Sequence, residues 1–557
     1  MKKITISVIL LISIFFQNCN KAKKDDTLLN LLILGYLMNS DNACKLEESG
    51  SDPLFSDQWH LSNNGFLPSS LAGEDARVQS VWSQRIKGSG IRIAVVDDGV
   101  DTGHEDLRMS SVPGIDLIFN VPDPSHSFSN SGHGTSVSGV ASARDQNGKG
   151  GRGVAPCAEV IGINLLEQNS ISAADEAESQ THANLESHIS NNSWGPPDNF
   201  GRLSNSSASW KSAVQNSFTS GRNGLGKVVT WAAGNGGAPG GVTSALKTDN
   251  SNYDGYANNP HVLTVCAVGT NGKKAAYSEN GANLWVCGHS QGNNATSYTT
   301  AITTTDAMGR FGFNTGTSSN NLTNANYTKN FNGTSSATPL VSGVVALLLD
   351  KYPNLTVRDV REILAKSARK NDPGDSDWLV NGAGYNINHK FGFGTVDASA
   401  ALSLAASWTT IPGTWKKFEV TTSSATTITD NNPTGVTANI VVAGSGISKI
   451  EHVEFTTGTN HTYFPELTIE LTSPLGSGGT KSILAENHTC FTNLNPATAC
   501  AAGNASILSQ TGLSTFTFGS SRHLGELADG TWVVRFIDGA AGDVATIGSM
   551  KLTIYGR

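Results

Sequence analysis

Charged residues are scarce in this chain, and that scarcity narrows the class of protein. Only 15% of the 557 residues are Asp, Glu, Lys or Arg, and the net charge is −8. Long exposed helices and disordered tails need more charge, so neither is predicted to dominate. No basic cluster stands outside the first residues, so nothing favours nucleic acid or an anionic membrane surface as a partner. The 60 glycines, with abundant Ser, Thr and Asn, indicate a loop-rich exported protein that can bury at least two cores.

Long hydrophobic runs are also missing. Ile4–Phe16 follows two lysines and has the length of the apolar segment of a bacterial export signal, too short for a membrane span. A second run, Leu28–Met38, is equally short and is expected to pack or associate rather than to span. The chain is therefore predicted to be exported, with residues 1–19 as signal peptide and residues 20–51 as a linker or tether.

The end of the signal allows two interpretations. Phe16-Gln17-Asn18-Cys19 is similar to a relaxed lipoprotein cleavage box, with Cys19 as the lipidated residue. Gln17 and Asn18 are larger than the usual small residues, so the alternative is an ordinary signal peptide cleaved further on. The expected location is the cell envelope, as a lipoprotein, or the medium, and a lipid anchor is the only membrane attachment predicted.

Cysteines are few and lack the spacing of a metal site. Seven are present, and if Cys19 is lipidated six remain: Cys44, Cys157, Cys266, Cys287, Cys490 and Cys500. Six cysteines allow fifteen pairings, which sequence alone cannot distinguish. Cys490 and Cys500 lie close in one predicted loop and are the first pair expected to form a disulfide in an oxidising compartment. No Cys-x-x-Cys or Cys/His spacing indicates zinc.

Three short glycine-flanked segments contain Asp, His and Ser in that order. They are Val95–Gly99 with Asp97, Ser131–Thr135 with His133, and Asn332–Pro339 with Ser335. Nucleophilic hydrolysis needs a hydroxyl nucleophile, a base and a carboxylate that orients the base, and this chain order is that of subtilisin-type hydrolases. Asn235 follows an apolar run and offers an amide donor for the oxyanion. In isolation it would instead be interpreted as part of an Asn-Gly turn.

Apolar periodicity divides the chain in two. From residue 52 to about 408, strand and helix patterns alternate, with predicted strands at Gly90–Asp97, Val160–Leu165, Lys227–Ala232 and Val262–Val268 and a predicted helix at Ser335–Tyr352. From residue 415 to 557 the runs are short, as in Leu467–Leu471 and Trp532–Phe536, and favour an all-β domain, most simply a sandwich. No repeat of fixed period is present.

The motifs resemble those of subtilases (peptidase S8), and within them the kexin/furin-like proprotein convertases. The matching segments are Val96–Asp101, Asn192–Pro196, Ala233–Gly237, Asp254–Asn258, Thr303–Asp306 and Gly333–Ala337. The C-terminal region is similar to the family's P domain at Leu471–Gly476, Gly530–Val534 and Leu552–Gly556. The resemblance implies a subtilisin-like α/β domain, a mainly parallel sheet flanked by helices, followed by a P-domain β-sandwich.

The resemblance also implies a specificity. Asp254 matches the carboxylate of the family's S1 pocket, beside substrate-binding Trp194 and Gly195, and predicts Arg or Lys at P1, the residue before the scissile bond. Asp98 matches an acidic residue that favours a basic P2, the alternative being a turn residue before Gly99. Two further acidic positions of the family are Asn130 and Ser204 here, so dependence on dibasic sites is expected to be weaker. Glu176 either serves an S4 subsite or is an exposed helix carboxylate.

Two sets of oxygen ligands match the family's calcium sites. Asp52, Asp106 and Asn147 match one, to be completed by main-chain oxygens of Arg144, Lys149 and Gly151, while Asp198, Asp249 and Glu279 match the other. Taken singly, each acid would be interpreted as a solvated surface residue. Together they predict two Ca²⁺ ions.

The propeptide normal for this family has no room in the sequence. Asp52 follows Cys19 by only about thirty residues, so the expectation is unaided folding or a chaperone or inhibitor in trans. The leading prediction is a calcium-dependent serine endopeptidase acting on proteins or peptides. The alternatives are an inactivated scaffold that serves as a surface-binding protein or adhesin, and a P-like domain that binds glycans or adheres rather than stabilising its neighbour.

Overall fold

A parallel sheet is built from the strands that the sequence marks as buried apolar runs. It contains β1 (Arg92–Asp97), β2 (Ile115–Asp116), β3 (Glu159–Asn164), β4 (Ile189–Asn192), β5 (Val228–Ala232), β6 (Val262–Val268) and β7 (Leu284–His289). Its spatial order is β2-β3-β1-β4-β5-β6-β7, and each neighbouring pair is parallel. Nearly every residue of these strands is buried, so both faces are covered.

Helices cover the sheet. They are α1 (Gln79–Trp82), α2 (His133–Ser142), α3 (Ala173–Thr181), α4 (Ala208–Gly224), α5 (Thr334–Lys351), α6 (Val357–Ser367) and α7 (Ala398–Ala405). Helix α5 is buried over almost its whole length, which explains its continuous apolar sequence. A short antiparallel pair, β8 (Ile302–Thr305) and β9 (Tyr327–Phe331), precedes α5.

This computed structural model describes Cys44 and residues 50–67, 69–126, 132–168, 170–237, 249–292, 300–309, 311–494, 497–500, 515–542 and 544–557. Cys19, the run Leu28–Met38 and Asn130 lie outside the described residues, as do the predicted signal peptide and most of the predicted linker. None of the described helices is long and apolar enough to cross a membrane.

The C-terminal part is an antiparallel β-sandwich. Its two sheets contain β12 (Lys416–Ser423), β13 (Thr427–Ile428), β14 (Val436–Val442), β15 (Ile450–Thr459), β16 (Leu467–Thr472), β17 (Lys481–Ala485), β20 (Phe516–Ser520), β21 (Gly530–Asp538) and β22 (Ala545–Gly556). Two short antiparallel pairs are separate from these sheets: β10 (Leu379–Val380) with β11 (Asn386–Ile387), and β18 (Phe491–Leu494) with β19 (Ala497–Ala499). One sheet runs β12-β22-β15-β20, with β13 paired to β22, and the other runs β14-β21-β16-β17. Their inner faces share a core that includes Phe455, Trp532 and Leu552. The predicted α/β fold followed by a sandwich is confirmed.

Each of these domains contains an internal disulfide. Cys490 and Cys500 are bonded, which confirms the predicted pair. Cys266 and Cys287 stand directly opposite each other on β6 and β7 and form a fully buried bond.

Paired charges hold the two domains together. Arg358 of α6 contacts Glu451 of the sandwich at 2.5 Å, and Arg557 contacts both Glu362 of α6 at 2.7 Å and Glu451 at 3.0 Å. The sandwich is therefore seated on the α/β domain within the compact unit of residues 49–557.

Candidate active site

Asp97 and His133 form a hydrogen-bonded pair at the carboxyl end of β1. Asp97 Oδ1 lies 2.8 Å from His133 Nδ1, and the Asp97 side chain is fully buried. Burial raises the pKa of Asp97, although the neighbouring imidazole acts in the opposite direction. Burial would lower the pKa of His133, but the charge and hydrogen bond of Asp97 raise it to about 9. The pair is thus suited to hold a proton that His133 has accepted.

Asp98 fixes the start of the helix that carries His133. Its carboxylate accepts the N–H groups of Gly132 at 3.1 Å, His133 at 3.1 Å and Gly134 at 2.7 Å. Burial opposes its charge, but His133, His126 and these donors outweigh burial and hold the pKa of Asp98 below its usual range. This helix-capping role differs from the turn role before Gly99 that the sequence offered as the alternative, and the role of Asp98 toward a basic P2 stays a prediction.

Ser335 lies in the first turn of α5 and is paired with Ser193, which sequence reasoning missed. Ser335 Oγ donates to the Ser193 carbonyl at 3.3 Å, and Ser193 Oγ donates to the Ser335 carbonyl at 3.1 Å. The Ser335 carbonyl is available because Pro339, four residues on, has no N–H. Among the described residues no hydrogen bond joins Ser335 to His133, so the nucleophile–base contact has to form when substrate enters, as is common in free enzymes.

Asn235 follows β5 and presents its amide to the same cleft. Its Oδ1 accepts from the Thr334 N–H at 2.8 Å and the Thr334 hydroxyl at 3.0 Å, which fixes the orientation of the carboxamide. Asn235, His133 and Ser335 all line a cleft of about 530 Å³. The remaining Nδ2 donor has no partner among the described residues and is available to an oxyanion.

A carboxylate cluster supports the Asn235 loop from behind. Oxygens of Asp198, Asp249 and Glu279 lie within 4.8 Å of one another. Asp198 accepts the Asn235 N–H at 2.9 Å, and Glu279 accepts the Gly236 N–H at 3.0 Å. A Cβ on Gly236 would lie 2.1 Å from an Asp249 oxygen, so only glycine fits between loop and cluster.

The same cluster has the chemistry of a cation site. Burial, followed by the charges of its neighbours, raises the pKa of Glu279 well above its usual value, and burial raises that of Asp249 to about 6. Three crowded carboxylates repel one another unless protons or a cation compensate them. An all-oxygen set of this kind fits Ca²⁺.

The second predicted ligand set also comes together. Asn147 Nδ2 donates to Asp106 Oδ1 at 2.7 Å, while Asp52 Oδ2 pairs with Arg152 Nε at 2.5 Å. The other carboxylate oxygens of Asp52 and Asp106 are buried, and among the described residues neither has a hydrogen-bond partner. Burial raises the pKa of Asp106 to about 8, and Asp52 adds to the rise. Orphaned buried carboxylate oxygens fit a Ca²⁺ ligand role for these residues.

Asp254 lies beside a group of packed aromatic rings, Trp194, Trp231 and Tyr256. Its Oδ1 accepts the Tyr256 N–H at 2.7 Å, and a Cβ on Gly195 would lie 3.1 Å from its Oδ2, so the glycine leaves the carboxylate accessible. Trp194 packs against Tyr256, with ring centroids 5.2 Å apart, and against Trp231 at 4.6 Å. Burial raises the pKa of Asp254 to about 7.

The structure also shows the surroundings of Glu176 and Ser204, two further positions considered for substrate binding. Glu176, on α3, accepts the Tyr256 hydroxyl at 2.5 Å and the Ser207 hydroxyl at 2.9 Å, so it holds the Tyr256 side chain in place. Ser204 donates its N–H to the Tyr253 carbonyl at 2.8 Å and brings no charge to the pocket.

The sandwich grips the segment that carries Asp254, which the sequence did not predict. Asn252 Nδ2 donates to the Gly519 carbonyl at 2.9 Å and its Oδ1 accepts the Gly519 N–H at 2.7 Å. On the other side of Asp254, Asn258 Nδ2 donates to the Thr517 carbonyl at 2.8 Å. Strand β20 therefore holds this segment at both ends. Nothing local in the sequence around either asparagine signals this contact.

Comparison with known proteins gives two family matches. The subtilase family model matches residues 88–394, and the proprotein convertase P-domain model matches residues 450–554. The extracellular serine protease of Aeromonas sobria is 32% identical, over 88% of this chain and 85% of that protein. The dibasic-processing endoprotease of Schizosaccharomyces pombe is 30% identical, over 91% of this chain and 66% of that protein.

The Hydra vulgaris PC3-like endoprotease variant B is 32% identical, and the chain spans 57% of its length. The convertase relatives named here therefore extend well beyond the matched part. Among solved structures, the Aeromonas sobria serine protease superposes with a TM-score of 0.75 at 28% identity, covering 91% of this chain and 96% of that one. Its complex with a chaperone gives a TM-score of 0.76, covering 91% and 95%.

Proposed function

We propose that this chain, which belongs to the subtilase family, is an exported serine endopeptidase. It is proposed to cut proteins or peptides after Arg or Lys. The observation that carries the proposal is the Asp97–His133 pair in contact, with Ser335 and Asn235 in the same cleft. A binding scaffold without activity would not need all four residues in this arrangement.

The geometry supports acyl transfer in two halves. Ser335 Oγ bonds to the substrate carbonyl carbon and passes its proton to His133, while Asp97 stabilises the imidazolium and Asn235 Nδ2 donates to the oxyanion. His133 then gives the proton to the leaving amine, the peptide C–N bond breaks, and an ester to Ser335 remains. Water, deprotonated by His133, hydrolyses this ester and restores the serine.

Two measurements test the proposal. A fluorophosphonate should label Ser335 covalently, and a peptide library should be cut after Arg or Lys because Asp254 pairs with the basic side chain. A folded protein that never labels would favour the binding or adhesin alternative. Dominant cleavage after Leu or Phe would contradict the basic-P1 proposal alone.

Calcium is proposed at both ligand sets. Bound ions would neutralise the crowded carboxylates, and Asp198 and Glu279 would then hold the Asn235 loop without mutual repulsion. We expect EGTA to lower the melting temperature by about 5–10 °C and to lower kcat, with Ca²⁺ restoring both.

Mg²⁺ is the matched control for this experiment, because it retains its waters and rarely uses such all-protein sites. It should therefore restore neither property. An unchanged melting temperature and unchanged kcat in EGTA would remove both calcium sites from the proposal.

The pH dependence follows from His133. The base must be neutral to accept the serine proton, and Asp97 raises its pKa to about 9. Rate should therefore still increase between pH 7 and pH 9, measured as kcat/KM on one peptide at constant ionic strength. A profile that is already flat above pH 7 would contradict this assignment.

The relatives support two further proposals. One solved relative is a complex of a protease with a chaperone. We propose that a separate chaperone or inhibitor protein also acts on this chain. Full recovery of activity from denaturant in isolation would show that none is needed for folding. The second proposal is that the protein is exported, as the name of the extracellular Aeromonas sobria protease indicates for that relative. Lipidation of Cys19 stays a prediction.

The sandwich is proposed to stabilise the α/β domain rather than to act as a separate adhesin. The supporting observations are the Arg358–Glu451 contact and the grip of β20 on the Asp254 segment. Deleting the residues after Ser407 should therefore lower solubility and turnover together.

A further inference from the structure

An exposed phenylalanine ring lies against the catalytic histidine. Phe313 is 50% exposed, and its ring meets the His133 ring edge-on with centroids 6.4 Å apart. Phe331, which is buried, contacts the same imidazole at 5.4 Å. Both phenylalanines line the cleft that contains Ser335. An apolar surface at this place is available to whatever enters the cleft.

The loop between β8 and β9 is built to hold Phe313 there. Asp306, fully buried at the base of the loop, accepts the N–H groups of Ala307 at 3.0 Å, Phe313 at 3.1 Å and Asn314 at 2.6 Å. A Cβ on Gly312 would lie 2.0 Å from the same carboxylate, so the chain passes Asp306 closely just before the aromatic residue. The backbone of Phe313 is thus fixed from below while its ring stays exposed.

Asn314 closes the other side of the loop. Its Nδ2 donates to the carbonyls of Leu322 at 2.8 Å, Asn324 at 3.1 Å and Tyr327 at 2.7 Å. The returning chain is therefore tied to the residue next to Phe313. Such a network costs conformational freedom and is expected where a side chain has to be held in place.

The cleft and the proposed S1 pocket around Asp254 are lined by different residues. Its described lining includes His133, Ser335 and Asn235 but not Asp254, Trp194 or Gly195. The P1 side chain is proposed to enter the Asp254 pocket, so the cleft receives the part of the substrate that leaves as an amine. His133 protonates that amine, which places the first residues after the bond beside its ring and hence beside Phe313.

We propose that Phe313 and Phe331 form a subsite that selects a bulky apolar side chain at one of the first two positions after the scissile bond. The inference rests on the proposed function and adds a second element of specificity to it. Aromatic rings gain from apolar and edge-to-face contacts, and the described lining contains no Lys or Arg that would attract an acidic side chain.

Peptides with Arg at P1 test this subsite. One series varies the first position after the bond, and a second series varies the next position, each through Phe, Leu, Ala and Asp. In one of the two series kcat/KM should favour Phe or Leu over Ala by about tenfold, with Asp lowest. In Phe313→Ala that ratio should fall to about two, because the exposed ring is gone.

Phe311→Ala is the matched control. It removes an even more exposed phenyl, 64% exposed, from the same loop, but Phe311 does not line the cleft. This variant should keep the full Phe-to-Ala ratio. Phe313→Asp should create a new preference, because a carboxylate at this position should favour substrates with Arg or Lys after the scissile bond.

The outcomes separate the two proposals. A peptidyl-Arg methyl ester has no residue after the scissile bond and reports on the triad and the Asp254 pocket. If the wild type hydrolyses the ester but shows a Phe-to-Ala ratio of about one in both series, the subsite is overturned and the proposed function stands. A ratio that survives in Phe313→Ala, or falls equally in Phe311→Ala, also overturns the subsite. No hydrolysis of the ester overturns both.

Discussion

Ser335→Ala should lower kcat by about 10⁵–10⁶-fold, because it removes the nucleophile of the proposed acyl intermediate. The residual rate comes from Asn235 and substrate binding, so it should remain above the uncatalysed rate. The substitution removes one hydrogen bond, from Ser335 Oγ to the Ser193 carbonyl. Such a bond contributes about 1 kcal/mol, so the melting temperature should change by only a few degrees.

Ser407→Ala is the matched control, because it deletes an exposed hydroxyl beyond α7. It should keep full activity and full fluorophosphonate labelling, whereas Ser335→Ala should lose both. If purified Ser335→Ala kept more than about one-hundredth of the wild-type kcat, the nucleophile would have to be another residue.

Asp254→Asn should lower kcat/KM for Arg at P1 by about 10³-fold. Leaving a buried charge without its partner costs about 2–5 kcal/mol, and here the substrate's cation would lose the carboxylate. Uncharged P1 residues should lose far less, so selectivity should collapse rather than activity in general. Since burial raises the pKa of Asp254 to about 7, the preference for Arg over Gln at P1 should also increase from pH 6 to pH 8 in the wild type.

The control for Asp254 is Glu178→Gln, which removes a charge from the exposed face of α3. It should leave the Arg-to-Gln ratio unchanged, and so excludes a general effect of net charge. An Arg-to-Gln ratio that Asp254→Asn left unchanged would place the recognition of the basic residue elsewhere.

The sequence predicted those elements whose signals are local. The apolar runs before Asp97 and Asn235 gave β1 and β5 within one or two residues, and the long apolar stretch after Ser335 gave α5. The family motifs identified the pair in contact, Asp97 and His133, and the clustered carboxylates. Each of these depends on a few neighbouring residues, which a linear pattern records.

What was missed depends on residues far apart in the chain. Asn252 and Asn258 look like ordinary loop asparagines until β20, more than 250 residues later, is placed beside them. Phe313 contacts His133 across 180 residues of sequence, in a loop whose backbone is hydrogen-bonded to Asp306. Asp98 matched a substrate-binding position, yet its carboxylate accepts three N–H groups at the start of α2.

The grip of β20 on the Asp254 segment sets an order of maturation. Ribosomes make the chain from its N-terminus, so Asp97, His133 and Asp254 all exist before Thr517 and Gly519 have been added. Asp97 and His133 can meet as soon as the α/β domain folds, but the segment that carries Asp254 gains its contacts with β20 only when the last strands of the sandwich have been made. A molecule synthesised only as far as the α/β domain would therefore lack the hydrogen bonds that hold the proposed Asp254 pocket at both ends.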